Sequence, residues 1–310
     1  MESLQKSDLR KVSSKAGGFF LLVVFFEVSL FFIVDKIICT YYFPIDQTLS
    51  AILIAPFSFI VPYMIMLKVM NKKPRDVMSI KKPKGQLFSY VMIGILVANI
   101  ADFITIYVVD FLKKYNINSK TPESIFKYEN TPLGILFFLI SLAIVPAISE
   151  EFVFRGVILG SLRKFGDNFA IFSSALVFGL MHGNIEQFVF AFILGLYLGY
   201  SVTKTNSILP AMIIHFVNNL FSGISYIFKD VENFEFFTQI FYSVVLVVSI
   251  FYIVRLFNNN KKQAQKINRS NLSFRSKMSA FFLNPGMILF LIYVAFSLYV
   301  SLKYPEIGNA

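Results

Sequence analysis

One cysteine, no tryptophan and two histidines in 310 residues set the first limits on this chain. With Cys39 alone, no intramolecular disulfide can form and no thiolate cluster can hold a metal. Cys39 is also a poor nucleophile candidate, because no histidine is near it in sequence. Charge is equally scarce. Asp, Glu, Lys and Arg together make up 15% of the residues, too little to cover a soluble domain. No internal repeat and no low-complexity linker is visible along the chain.

What the chain does have is apolar bulk. Hydrophobic residues are 56% of the total and Phe alone occurs 38 times. They come in long blocks rather than short amphipathic stripes, the pattern of membrane spans. The reading is an all-α, polytopic transmembrane helical bundle. Nine spans are expected, at 18–38, 49–68, 87–109, 132–162, 168–184, 187–203, 207–227, 236–256 and 286–302. The fifth and sixth are short and joined by only a few residues around Gly183, so they are either ordinary spans or partly re-entrant helices. Lys11 and Lys15 precede the first block as in a secretory signal. That block is long, contains Glu27 and lacks a small-residue cleavage site, so it is expected to be retained.

The net charge of +11 could suggest nucleic acid. The Lys and Arg cluster in loops between apolar blocks, chiefly in 1–15, 68–84 and 255–277. That is topogenic charge facing anionic lipid, so the expected partners are the bilayer and a peptide or membrane-protein substrate, with no nucleic acid. The same bias predicts a cytoplasmic N-terminus. The Lys-, Asn-, Ile- and Phe-rich composition points to a bacterial cell membrane. The chain divides into N-terminal helices 1–131, a core 132–227, and C-terminal helices 228–310 with a basic loop. The Asn/Lys-rich stretch Asn258 to Lys277 is expected to be flexible.

Ionisable groups inside spans cost roughly 2.5–3.5 kcal/mol each on insertion scales, so each needs a partner or a function. This chain concentrates them in three blocks. The first holds Glu150, Glu151 and Arg155, the second Phe178 and His182, the third His215 and Asn219. Glu150 is about 20 Å along the helix from Arg163, and His182 about 21 Å from Asn168, at 1.5 Å per residue. His215 and Asn219 are about 12 and 18 Å beyond Ser207. Four polar groups from three helices therefore reach similar depth. Glu151 and Arg155 share a face at four-residue spacing, and Glu150 is turned roughly 100° away from that pair. Glu27, Asp35, Lys36 and Asp102 stand alone and are expected to be structural or interfacial. Glu186, at a helix end, is left outside the site.

These three elements resemble the CPBP family of intramembrane proteases, which includes CAAX endopeptidases and bacterial Abi or bacteriocin-processing proteins. Its Glu-Glu-x-x-x-Arg motif is matched by Glu150, Glu151 and Arg155, its Phe-x-x-x-His by Phe178 and His182, and its His-x-x-x-Asn by His215 and Asn219. The resemblance covers residues 132–225. It implies that Glu150 is the general base that activates water, helped by His182. His215 and Asn219 would steady the oxyanion, while Glu151 and Arg155 hold the first helix's geometry. The chemistry is sound in general, since a carboxylate withdrawn from water is a competent base and preorganised donors stabilise an oxyanion.

Zinc is left open as a cofactor. Two His and a Glu could supply three ligands, but no His-Glu-x-x-His helix demands it. General proteolysis is favoured over prenyl-protein cleavage, because no feature of the sequence reads a prenyl group. Two other classes fit an intramembrane cluster of this kind. One is a non-enzymatic bacteriocin immunity or resistance protein, in which Glu150 would be dispensable. The other is a proton-coupled transporter, which the lack of a repeat disfavours.

Overall fold

The computed structural model describes residues 2–33, 47–71, 73, 80, 83, 86–115, 117, 128–260 and 270–303. Asp35, Lys36, Cys39 and most of the basic segment 68–84 lie outside the described residues, as do 261–269 and the side chain of Glu27. Helix is the regular structure throughout, and no strand occurs among the described residues. The order is α1 (Glu2–Phe31), α2 (Gln47–Val69), α3 (Leu87–Lys113), α4 (Pro132–Phe165), α5 (Asp167–Met181), α6 (Ile185–Thr205), α7 (Leu209–Ile227), α8 (Phe234–Asn260), α9 (Phe274–Phe282) and α10 (Pro285–Lys303). Six of them, α1, α3, α4, α6, α8 and α10, are long and apolar enough to cross a membrane. The protein is an all-α polytopic helical bundle of the membrane.

Three boundaries differ from the sequence expectation. The first helix starts at Glu2 rather than near residue 18, because nothing in that stretch breaks a helix and Leu9, Ser13 and Ala16 are buried. The stretch expected to be flexible gives way at its C-terminal side to α9, which Ser273 caps by accepting from the Ser276 amide at 3.2 Å. Burial of Ala280 and Phe281 holds that helix down. Finally, α5 has 15 residues. It spans about 22 Å, against the ~30 Å of a hydrocarbon core.

The α5–α6 connection is a tight hairpin. Gly183 has φ +68°, and Asn184 Oδ1 accepts the Gln187 amide at 2.8 Å to cap α6. Its tip therefore carries His182, Glu186 and Gln187 together. Elsewhere α6 packs on α5 and α3, α7 packs on α4, α3 and α6, and α8 lies along α3.

Around the back, α1 packs on α10, α2 and α9. At the α1–α10 crossing, a Cβ on Gly17 would collide with the Gly286 backbone, and one on Gly286 with the Ser14 carbonyl. Close approach between small residues is how membrane helices associate without a hydrophobic driving force. Phe20 of α1 stacks on Phe154 of α4, centroids 5.6 Å apart, and leans on Phe290 of α10 at 5.0 Å.

Helix α4 runs through the middle of this arrangement and is irregular in two places. Thr131 caps it, accepting from the Gly134 amide at 3.1 Å, with Pro132 at its first position. It widens into π-helix at Ile140–Ile144 and again at Phe152–Leu159. Such segments inside α-helices occur often at functional sites. The first precedes Pro146, and the second begins one residue after Glu151.

Candidate active site

The second π segment shifts the backbone from the ordinary i to i−4 ladder to a wider one, and its carbonyls can take a side-chain donor as well. Ser174 of α5 supplies one, its Oγ donating to the Phe154 carbonyl at 2.8 Å. That bond pins α5 against α4 next to Arg155. Arg155 and Glu151 are both fully buried, at 1% and 0% exposure. Arg155 Nη1 donates to Glu151 Oε1 at 3.0 Å. A buried charge pair needs further partners to offset its desolvation. Here the guanidinium carbon is 4.3 Å from the centroid of the Phe178 ring, a cation–π contact.

Glu151 Oε1 has a second partner, His215 Nδ1 of α7, at 2.9 Å. An ionised carboxylate can only accept, so Nδ1 carries the hydrogen and donates it. The other ring nitrogen, Nε2, faces Glu150 Oε2 at 3.9 Å. His215 is thus held between two adjacent carboxylates of α4, anchored by one and facing the other. Glu150 is partly exposed and lines a cavity, whereas Glu151 is sealed in.

The histidine of α5 is fixed differently. His182 Nδ1 is 2.9 Å from the Phe178 carbonyl, one turn back. A carbonyl also only accepts, so Nδ1–H is the donor and Nε2 is the acceptor of the neutral ring. Phe178 is the wedge between these parts. Its ring meets His182 edge-on at 5.1 Å, His215 at 6.0 Å and Phe154 at 4.9 Å. One phenylalanine among many in this chain is thus the surface on which Arg155 and both histidines rest.

Asn219, one turn beyond His215, donates its Nδ2 to the Leu142 carbonyl at 3.0 Å and accepts from Asn218 Nδ2 at 3.1 Å. Glu150, Phe178, His182, His215 and Asn219 line one cavity of about 480 Å³. Arg155 and Glu151 lie behind its wall. Several residues that the sequence pattern leaves outside the site also line it. Glu186 and Gln187 come from the start of α6, and Asp102 from the middle of α3. Glu186 follows His182 by four residues, a spacing that could have included it. Asp102 has no polar neighbour in sequence and becomes part of the cavity only through the packing of α3 on α6 and α7.

Both histidines keep Nε2 as the nitrogen that a zinc ion could use. His215 Nδ1 is committed to Glu151 and His182 Nδ1 to a backbone carbonyl, bonds that metal-bound histidines also make. Among the described residues, no group of three or more His, Cys, Asp or Glu side chains is placed to hold a metal. Chemically, the cavity offers a carboxylate facing a histidine, a second histidine with an acceptor nitrogen, and side-chain amides. Those are the parts for activating water and stabilising an oxyanion.

No curated protein and no solved structure matches the chain. A family model does, the one described as type II CAAX prenyl endopeptidase Rce1-like, over residues 132–221. That segment, less than a third of the chain, contains Glu150, Glu151, Arg155, His182, His215 and Asn219, and over it the chain is similar to that family.

Proposed function

We propose that the protein is an intramembrane endopeptidase that uses Glu150 as general base. The observation that carries this is His215 between the two carboxylates. Glu151 is tied to Arg155 and to His215 Nδ1, which leaves Glu150 as the carboxylate open to the cavity. In the reaction, Glu150 takes a proton from water as the oxygen attacks the scissile carbonyl. His182 Nε2 orients that water by accepting its other hydrogen. His215, protonated at Nε2 and anchored through Nδ1, donates to the oxyanion. Asn219 has a second amide hydrogen besides the one given to Leu142, and it joins His215 there. Glu150 then passes its proton to the leaving amine, and the C–N bond breaks. No step needs a metal.

Peptides and membrane proteins are the substrate class, with no requirement for a prenyl group. The matched family is named for prenyl endopeptidases, so prenylated and unprenylated forms of one peptide are the relevant comparison. The basic segments favour a cytoplasmic N-terminus, and the Lys-, Asn-, Ile- and Phe-rich composition favours a bacterial membrane.

The test is cleavage of a quenched-fluorescence peptide library by wild type and Glu150→Gln in detergent. Loss of a general base typically costs on the order of 10²–10⁴ in rate. The melting temperature should hold, because Glu150 makes only the long contact to His215. Equal activity in both proteins would overturn the assignment of Glu150.

A further inference from the structure

A second cavity of about 120 Å³ adjoins the main one, between α3, α7 and α8. Asp102, Asn218 and Ser222 line both, so the smaller cavity opens off the larger at these three side chains. Its volume suits one amino-acid side chain. Phe221, Phe241 and Tyr242 form part of its wall. Among the described residues, neither cavity is lined by a Lys or Arg.

We infer that this side cavity is a specificity subsite for a Lys or Arg side chain of the substrate, with Asp102 as its counter-charge. The inference rests on the proposed peptidase reading for the main cavity. A carboxylate in the middle of a span is costly unless something balances it, and no ion pair to Asp102 exists among the described residues. The protein's own cation in this region, Arg155, is bonded to Glu151 behind the wall. A basic substrate side chain supplies what is missing. Its aliphatic stem would reach the junction of the two cavities from the main one, past Asn218 and Ser222. Its charged head would meet Asp102 at that junction, with Phe221, Phe241 and Tyr242 in the wall of the smaller cavity. The main cavity adds Glu150 and Glu186 to the same sign of charge.

The test compares kcat/KM for matched peptides carrying Lys, Arg, Gln or Glu at each position flanking the cleaved bond. Wild type should favour Lys and Arg, and Asp102→Asn should reduce the basic-to-neutral ratio about tenfold, as for a lost charge-assisted hydrogen bond. An unchanged ratio in Asp102→Asn, with Glu150→Gln inactive, overturns the subsite and leaves the peptidase reading standing. Binding of a fluorescent Lys-containing peptide to Glu150→Gln is the second measurement. Weakening by Asp102→Asn supports the subsite even where wild type cleaves nothing, the outcome that sinks the peptidase reading instead. Equal binding in the presence and absence of Asp102→Asn overturns the subsite on its own terms.

Discussion

Asn219 of α7 donates its side-chain amide to the carbonyl of Leu142, which is the carbonyl that Pro146 cannot serve. Leu142 lies in the first π segment, and where the α-helix would resume its bond from residue 146 to residue 142, proline has no amide to give. The bond between α7 and α4 therefore repairs a defect in the helix that carries Glu150, one turn before it.

That pairing makes a specific double-mutant expectation. Asn219→Leu should destabilise the protein by about 1 kcal/mol, the net worth of a part-buried hydrogen bond, and lower peptidase activity as well. Adding Pro146→Ala restores an amide to Leu142 and should recover most of the melting temperature. Activity that stays low in the stabilised double variant would mark Asn219 as an oxyanion donor in its own right. A double variant no more stable than Asn219→Leu would show that Leu142 does not need the bond.

The Glu151–Arg155 pair should be intolerant of one-sided change. Arg155→Met leaves a buried carboxylate without its cation, a loss of about 3–5 kcal/mol for such pairs. Arg155→Lys should fail too, because an ammonium reproduces neither the planar fork nor the stacking on Phe178. Thermal melts in detergent read both, and a melting temperature within a degree of wild type for either would contradict the packing described.

Chelation should leave the enzyme working. Peptide cleavage by wild type, purified without chelator, is expected to persist after treatment with EDTA or phenanthroline, with no stoichiometric zinc by elemental analysis. One zinc per chain, whose removal abolishes cleavage and whose return restores it, would replace the glutamate mechanism with a metal one.

Orientation can be read with cysteine chemistry, since Cys39 is the single thiol. In a Cys39→Ala background, a cysteine at Lys6 should be shielded from a membrane-impermeant maleimide in intact cells. One at Lys120, in the α3–α4 connection, should be labelled. The reverse pattern would invert the topology.

Much of this architecture is legible in the amino-acid pattern alone. Long apolar blocks separated by basic loops mark most of the helices, and rise per residue puts Glu150, His182 and Asn219 near one depth. Other features depend on neighbours that no local pattern reveals. Pro146 announces that Leu142 needs a donor, yet only the approach of α7 says that Asn219 is the donor. Asp102 has no polar residue at helical spacing to signal a site, and it enters the cavity only once α3 packs on α6 and α7. The early start of α1 is of the same kind, for its polar first half becomes a helix worth burying once α9 and α10 lie against it.

The crossing of Gly17 and Gly286 has a consequence for biosynthesis. Helix α10 emerges from the ribosome long after α1, yet the two cross at glycines that leave room for nothing larger, and Phe20, wedged between Phe290 and Phe154, passes that fit on to the helix bearing the two glutamates. A nascent chain that has inserted α4 to α7 already has every polar side chain of the proposed centre but not the wall that holds Phe154 behind Arg155. Competence to cut would then come last, after synthesis has reached α10, and a peptidase born among half-made membrane proteins would be harmless to them until it is itself assembled.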